Sequence, residues 1–192
     1  MAYWKESIYT VKDWAGTTSY SKNNIVLRRE DIGTTGVPKT IKYYYASKTN
    51  NNKTPPTYND QYWTGYTNSN GGSVPFFTWT PSYNVTTSHK PRTLTVNFGN
   101  GYEERIPDGI FNTLITLDLS FDLRSETETT AILHFLRARK GTESFIVQNL
   151  PQPYADIPGS GYRKKFICPN FSSAFSFHNN YTVKATFVQK NN

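Results

Sequence analysis

Val96-Asn97-Phe98-Gly99-Asn100-Gly101-Tyr102-Glu103-Glu104-Arg105-Ile106-Pro107-Asp108-Gly109 is the stretch on which the reading of this chain turns. Asn100-Gly101 supplies the φ > 0 backbone that a tight hairpin needs, and Val96, Phe98, Tyr102 and Ile106 put apolar side chains at alternate positions on its two arms. Two short strands are therefore expected, joined by a glycine-rich turn and followed by a second turn at Asp108-Gly109. No residue type here points to chemistry, so the stretch is read as architecture.

Downstream, Ile115, Leu117, Leu119, Phe121 and Leu123 alternate with Thr116, Asp118, Ser120 and Asp122, the period of a strand with one buried and one wet face. Asp118 and Asp122 share a face, an arrangement open to paired carboxylates. No His or further acid flanks them, and a solvated face is the better reading. Ser125-Glu126-Thr127-Glu128 forms a capping box. The helix it starts carries Ile132, Leu133, Phe135 and Leu136 as its apolar stripe, ends in the basic run Arg137 to Lys140, and stops at Gly141. It is expected over about residues 126–140, lying on the sheet. Phe145 and Val147 begin a further strand, Leu150 to Gly161 is a Pro/Gly-rich loop, and Arg163 to Cys168 is another strand. The chain closes on a hairpin, entered by Phe175 and Phe177, turned at His178-Asn179-Asn180 and left by Tyr181, Val183, Ala185 and Phe187.

Upstream, residues 1 to 72 read as a small aromatic-rich β module. Trp14 to Tyr20 lead to a turn at Asn23-Asn24, then to strands at Ile25-Val26-Leu27 and Ile41 to Ala46, a polar loop, Pro55-Pro56 and Tyr62-Trp63. Thr67 to Ser73 is polar and rich in Gly and Asn, and it is the expected linker. A second domain over residues 74–192 follows, opening with Phe76-Phe77-Thr78-Trp79 and a polar stretch to Pro91.

Composition agrees with this division. A chain of 192 residues fits two small domains, and a hydrophobic fraction of only 36% beside 16% aromatic makes Tyr and Phe the main core material, which favours strands. The net charge of +7 raises the question of a polyanion partner. Lys and Arg are nevertheless spread along the chain, and the cluster Arg137-Ala138-Arg139-Lys140 sits where cations complement a helix C-terminus, so no specific nucleic-acid binding is expected. Cys168 is the only cysteine, which rules out an intramolecular disulfide. Neither an apolar signal segment nor a run of about 18 apolar residues occurs, so no membrane partner is expected.

Candidate chemistry is sparse. His89, His134 and His178 are read as loop, helix surface and hairpin turn, and they lack metal-ligand spacing. Cys168 falls in a predicted strand, as small buried thiols do. Gly99-Asn100-Gly101 is no phosphate loop, since neither a helix nor Lys-Ser/Thr follows it. The Asn-x-Ser/Thr triplets at Asn52, Asn84, Asn170 and Asn180 mean little in a chain this rich in Asn and Thr. No catalytic residue, metal site or cofactor is assigned, and the chain is read as a non-enzyme. A cell-wall hydrolase lacks its pair of carboxylates here.

Two resemblances add to this. The order of Trp14, Tyr20, a short apolar strand, a Tyr-rich strand holding Tyr45, Pro55-Pro56 and Trp63 resembles carbohydrate-binding module families 5 and 12. By that resemblance Trp14, Tyr20, Tyr45 and Trp63 are carbohydrate-binding candidates, the alternative being that they form the module's miniature core. The second pattern is Phe76-x-x-Trp79-x-Pro81, Pro91-Arg92, then Val96-x-Phe98-Gly99-Asn100-Gly101-Tyr102-x-x-Arg105-x-Pro107-x-Gly109. It continues with Phe121, Phe135-Leu136, Gly141-x-x-x-Phe145 and Phe166-x-Cys168. This is similar to the phage minor tail protein M family, typified by bacteriophage lambda, over residues 74–192.

The second resemblance implies a non-enzymatic virion protein, assembled in the host cytoplasm. It would have a tail-tube-like β-sandwich or barrel domain and form a homo-oligomeric, six-fold ring at the distal end of the tail tube. Its partners would be the tube protein and the tip or baseplate hub proteins. Phe98, Gly99, Asn100, Gly101, Tyr102 and Arg105 are then the signature, the glycines and Asn100 as turn geometry, Tyr102 and Arg105 as packing or subunit contacts. The alternative is a glycan-binding tail protein whose N-terminal module touches host surface carbohydrate.

Overall fold

The alternating run after the hairpin becomes the central strand of the molecule. In the computed structural model the described residues are 11–32, 38–51, 53–55, 62–69, 72–109, 112–150, 154 and 164–190. Six strands come first: β1 (Lys12–Asp13), β2 (Ser19–Tyr20), β3 (Ile25–Ile32), β4 (Pro38–Ala46), β5 (Asn50–Asn51) and β6 (Trp63–Thr64). Next come β7 (Tyr66–Ser69), β8 (Gly72–Phe77), β9 (Thr86–Pro91), β10 (Thr93–Asn97), β11 (Glu103–Pro107) and β12 (Thr113–Arg124). The single described helix, α1 (Glu126–Ala138), is followed by β13 (Phe145–Val147), β14 (Lys165–Phe177) and β15 (Asn180–Lys190). The fold is therefore mainly β, as expected.

A seven-stranded sheet in the order β7-β8-β13-β14-β15-β12-β9 carries the body, and a four-stranded sheet β1-β3-β4-β6 stands beside it. Two two-stranded ribbons, β10-β11 and β2-β5, complete the set, and no sheet closes into a barrel. In β12 the side chains of Leu117, Leu119 and Phe121 are buried while Asp118 and Asp122 are exposed, the two faces that the period of two demands. β15 does the same with Val183, Ala185 and Phe187. Helix α1 seals this apolar face with Ala131, Ile132, Phe135 and Leu136.

At the centre stands Phe77, fully buried, with the rings of Trp79, Phe121, Phe135, Phe145 and Phe187 at centroid distances of 5.1 to 6.1 Å. Most of these pairs meet edge to face, the arrangement that aromatic quadrupoles favour. An aromatic-rich, aliphatic-poor sequence has thus packed its rings against one another.

Helix α1 begins as expected, with the Ser125 hydroxyl accepting from the Glu128 amide at 3.3 Å. The return half of the capping box is replaced, because the Glu128 carboxylate takes the Arg124 guanidinium at 2.9 Å. At the other end Lys140 (φ 51) and Gly141 (φ 69) turn the chain out of the helix.

Three expectations change. The described residues of the run Thr67 to Ser73, read as a linker, belong to the paired strands β7 and β8, with Tyr66 opposite Pro75 and Ser69 opposite Gly72. Strand pairing satisfies its backbone groups, which polar composition alone does not reveal. The polar stretch before Pro91, read as loop and holding His89, is β9, the edge strand against β12. His134, expected on the helix surface, lies under β4, its ring 4.7 Å from that of Tyr43 and its Nδ1 3.1 Å from the Tyr45 hydroxyl. The loop Leu150 to Gly161 lies, apart from Leu150 and Tyr154, outside the described residues, as does Pro56.

Candidate assembly surface

Strands β10 and β11 pair antiparallel from Thr93↔Pro107 to Asn97↔Glu103. Residues opposite each other in such a ladder share a face. Leu94 and Ile106, Val96 and Glu104, and then Phe98 and Tyr102 therefore project together, while Thr95 and Arg105, Asn97 and Glu103 project on the other side. The turn is the expected one: Asn100 (φ 68) and Gly101 (φ 82) take the left-handed backbone, and the Phe98 amide donates to the Tyr102 carbonyl at 2.7 Å.

The root of this ribbon is fixed. The Arg92 amide donates to the Asn112 carbonyl at 2.8 Å, the Asp108 amide to the Arg92 carbonyl at 3.0 Å, and Arg92 Nε to the Asp108 carboxylate at 2.9 Å. These bonds carry the β9-β12 ladder onward into β10-β11, so the ribbon is an arm continuing the sheet beyond its body. Every residue of β10 and β11 is exposed, including Leu94 at 55%, and so are Phe98 at 54% and Tyr102 at 75%, which flank the turn between them.

A two-stranded ribbon with one bare apolar face is at best marginally stable in water. Apolar patches of this kind mark contact sites. The signature residues thus separate by role. Asn100 and Gly101 shape the turn, Phe98 and Tyr102 furnish the apolar face, and Arg105 lies on the polar face, ion-paired with Glu103. Gly99 has open space around its α-carbon.

The four carbohydrate candidates fall elsewhere. Tyr20, Trp63, Val26, Tyr44 and Ala46 form a small core of their own, with the Tyr20 and Trp63 rings 5.2 Å apart. Tyr45 belongs to the main core, against Trp79 and Phe135. Tyr20, Tyr45 and Trp63 are each no more than 5% exposed and offer no ring face to a sugar; the miniature-core alternative describes Tyr20 and Trp63. Trp14 is half-buried, its indole donating to the Lys53 carbonyl at 3.2 Å, the same oxygen that Trp63 takes at 2.8 Å.

The remaining chemical candidates are occupied structurally. Cys168 is buried in β14, and desolvation pushes its thiol up to about 12, far from the reactive range. His134 is pushed down to about 4, first by burial and then by the nearby Arg139 and Arg137 charges, so it is neutral at pH 7. Asp118 accepts from the Thr186 hydroxyl at 2.7 Å and Asp122 from the Ser120 hydroxyl at 2.6 Å, each with its own partner on the wet face. Arg139, one of the basic run, is buried against Phe135 and paired with Glu143 at 2.9 Å. Among the described residues no group of three His, Cys, Asp or Glu side chains gathers to hold a metal, and no helix is long and apolar enough to cross a membrane.

Sequence reasoning named one side of the arm and missed Leu94, whose alternation with Val96 and Phe98 was available. It also did not mark Leu123, Phe175 and Phe177 as bare, since periodicity says which face a residue takes and not whether anything covers it.

The described residues thus make a mainly β body that carries an arm with a bare apolar face. The family model described as phage minor tail protein matches residues 75–191, more than half of the chain. The chain belongs to the phage minor tail protein family, and with it to the virion tail. Among solved structures it is similar to the tail of an empty GTA particle, obtained by helical refinement with C6 symmetry, at 14% identity and a TM-score of 0.37 over 64% of this chain and 85% of that one. No curated protein sequence matches the chain.

Proposed function

We propose that this minor tail protein is a non-enzymatic ring subunit at the distal end of the tail tube, joining the tube to the tip or baseplate hub. The single observation that carries this reading is the β10-β11 arm, whose apolar face is bare in the isolated chain and whose root is locked into the main sheet. Contacts between an arm and a different surface on a neighbour close into a ring when the rotation between copies fits. The six-fold count rests on the resemblance to the minor tail protein M family. Residues 1–72 are the peripheral part in this reading and residues 74–192 the ring-forming part, with Tyr45 and Ile25 tying the first to the core of the second. Glycan binding would have Trp14 as its one half-exposed ring among the four candidates, and no observation favours it over assembly.

Electron microscopy of the full chain mixed with its tail-tube protein tests the proposal. Closed six-membered rings capping tube ends are expected. A chain that stays monomeric at every concentration, with tube protein present, contradicts it.

A further inference from the structure

The face of the main sheet opposite α1 carries a groove of about 400 Å³, inside the roughly 300–1,000 Å³ range of small-ligand sites. Its floor is set by register. Thr86, Asp118, Thr186 and Asn170 stand side by side across β9, β12, β15 and β14, and Ser120, Lys184 and Ser172 form the next row, two residues along. Residues paired across a ladder point the same way, as do residues two apart on a strand, so both rows share one face. Leu119 and Ala185, between the rows, turn into the core.

One wall comes from the segment that leads into β9. The Ser82 amide donates to the Ser120 carbonyl at 2.7 Å, and the Asp122 amide donates to the Ser82 hydroxyl at 2.8 Å, which pins this segment beside β12 where β9 has not yet begun. Asn84 then turns at φ 72 and lines the groove. Its neighbour Tyr83 is 95% exposed, the barest large aromatic or apolar side chain among the described residues.

The side chains of the floor select a kind of ligand. None of the seven is apolar, which disfavours an apolar guest. Asp118 repels an anion and Lys184 a cation; the two lie diagonally on neighbouring strands, so the floor carries no net charge. Strands β12, β15 and β14 each have a partner on both sides, so their backbone offers an extended peptide no ladder to join. What remains is a dense set of hydroxyls and amides around one carboxylate and one ammonium. Asp118 accepts the Thr186 hydroxyl at 2.7 Å and keeps acceptor capacity beyond that bond. Among the described residues, Asn84, Asn170, Ser172 and Lys184 make no side-chain hydrogen bond or ion pair. A ligand hydroxyl donates and accepts at once, so it can give its proton to Asp118 while taking one from Lys184.

We propose that this groove binds a neutral saccharide, its hydroxyls held by Asp118, Lys184 and Asn170 and one sugar face stacked on Tyr83. The site lies within residues 74–192, apart from the four N-terminal rings, and does not depend on the ring reading.

The test applies the labelled full chain to an array of neutral oligosaccharides of glucose, galactose, mannose and N-acetylglucosamine, with sialylated and sulfated glycans alongside. Each hit is then titrated as the free oligosaccharide by calorimetry. Lys184→Ala, Asn170→Ala and Trp14→Ala are compared with the wild type; both groove side chains are exposed, and melting curves establish that each variant folds. Binding of at least one neutral oligosaccharide is expected, weakened about tenfold by Lys184→Ala and about threefold by Asn170→Ala, and unchanged by Trp14→Ala. Silence across the array overturns the proposal, as does binding confined to the charged glycans. Binding that Trp14→Ala abolishes and both groove variants leave intact overturns it too, moving the sugar site to the N-terminal part. None of these results bears on whether copies of the chain cap a tube, which electron microscopy reads separately.

Discussion

Lowering the pH should destabilise this fold through His134. In the unfolded chain the imidazole takes up a proton near its ordinary value of 6.5, whereas in the fold burial and the Arg139 and Arg137 charges hold it down at about 4. Between these two values the unfolded chain binds more protons, so stability rises with pH. The contribution is fully present above pH 6.5, is lost progressively as the pH falls toward 4, and levels off below that. A gap of about 2.5 units at 1.36 kcal/mol each gives a ceiling of roughly 3 kcal/mol. Partial solvent access to the ring lowers this to about 2 kcal/mol, or a melting temperature lower by about 4–8 °C for a chain of this size.

The structural cost falls on the junction between the two halves of the molecule, because His134 faces Tyr43 and Tyr45 of β4. Urea titrations followed by tryptophan fluorescence, at steps from pH 7.5 to 4, should be run on the wild type and on His134→Gln. The difference between the two removes the carboxylates common to both. It should shrink as the pH falls through the stated window. A difference that is flat across it, or that grows in acid, would refute the assignment of His134 as a buried neutral group.

Phe77→Ala should cost about 3–5 kcal/mol, read as a lower urea midpoint, since six rings including its own share that site; a loss below about 1 kcal/mol would mean the aromatic cluster does not hold the core. Gly65→Ala should destabilise by about 1–3 kcal/mol, because Gly65 sits at φ 132 with the Tyr43 carbonyl oxygen 2.5 Å from where a β-carbon would stand; a neutral effect in thermal melts would contradict that close approach. Cys168 should resist a thiol reagent at pH 8 in the native protein and react promptly in urea, and rapid native labelling would contradict its burial.

Much of the fold is legible where periodicity and caps speak together. The β12 alternation, the Ser125 start and Gly141 stop of α1, and the Asn100-Gly101 turn all follow from local chemistry, and the structure keeps them. Strand β9 is illegible for a physical reason: Thr86 to Pro91 forms an exposed edge, so no alternation of apolar and polar residues marks it. The β7-β8 hairpin hides behind Asn and Gly, which serve linkers and tight turns equally. Tyr45 and Trp63 have the composition of sugar-stacking residues, and only tertiary packing shows that their faces are spent on Trp79, Phe135 and Tyr20. Phe175 and Val183 lie on the same face of one hairpin, yet the first is bare and the second buried, a difference that the alternation of the strand does not carry.

The bare arm is what ties this structure to assembly, and one measurement addresses it most directly. Sedimentation velocity across a range of concentrations should compare the wild type with a variant carrying Leu94→Ser, Val96→Ser and Ile106→Ser. All three side chains are exposed, so the variant should melt at the wild-type temperature. The wild type is expected to form a discrete larger species as concentration rises, and the variant to remain monomeric throughout; a variant that assembles as the wild type does would contradict the arm as the assembly contact.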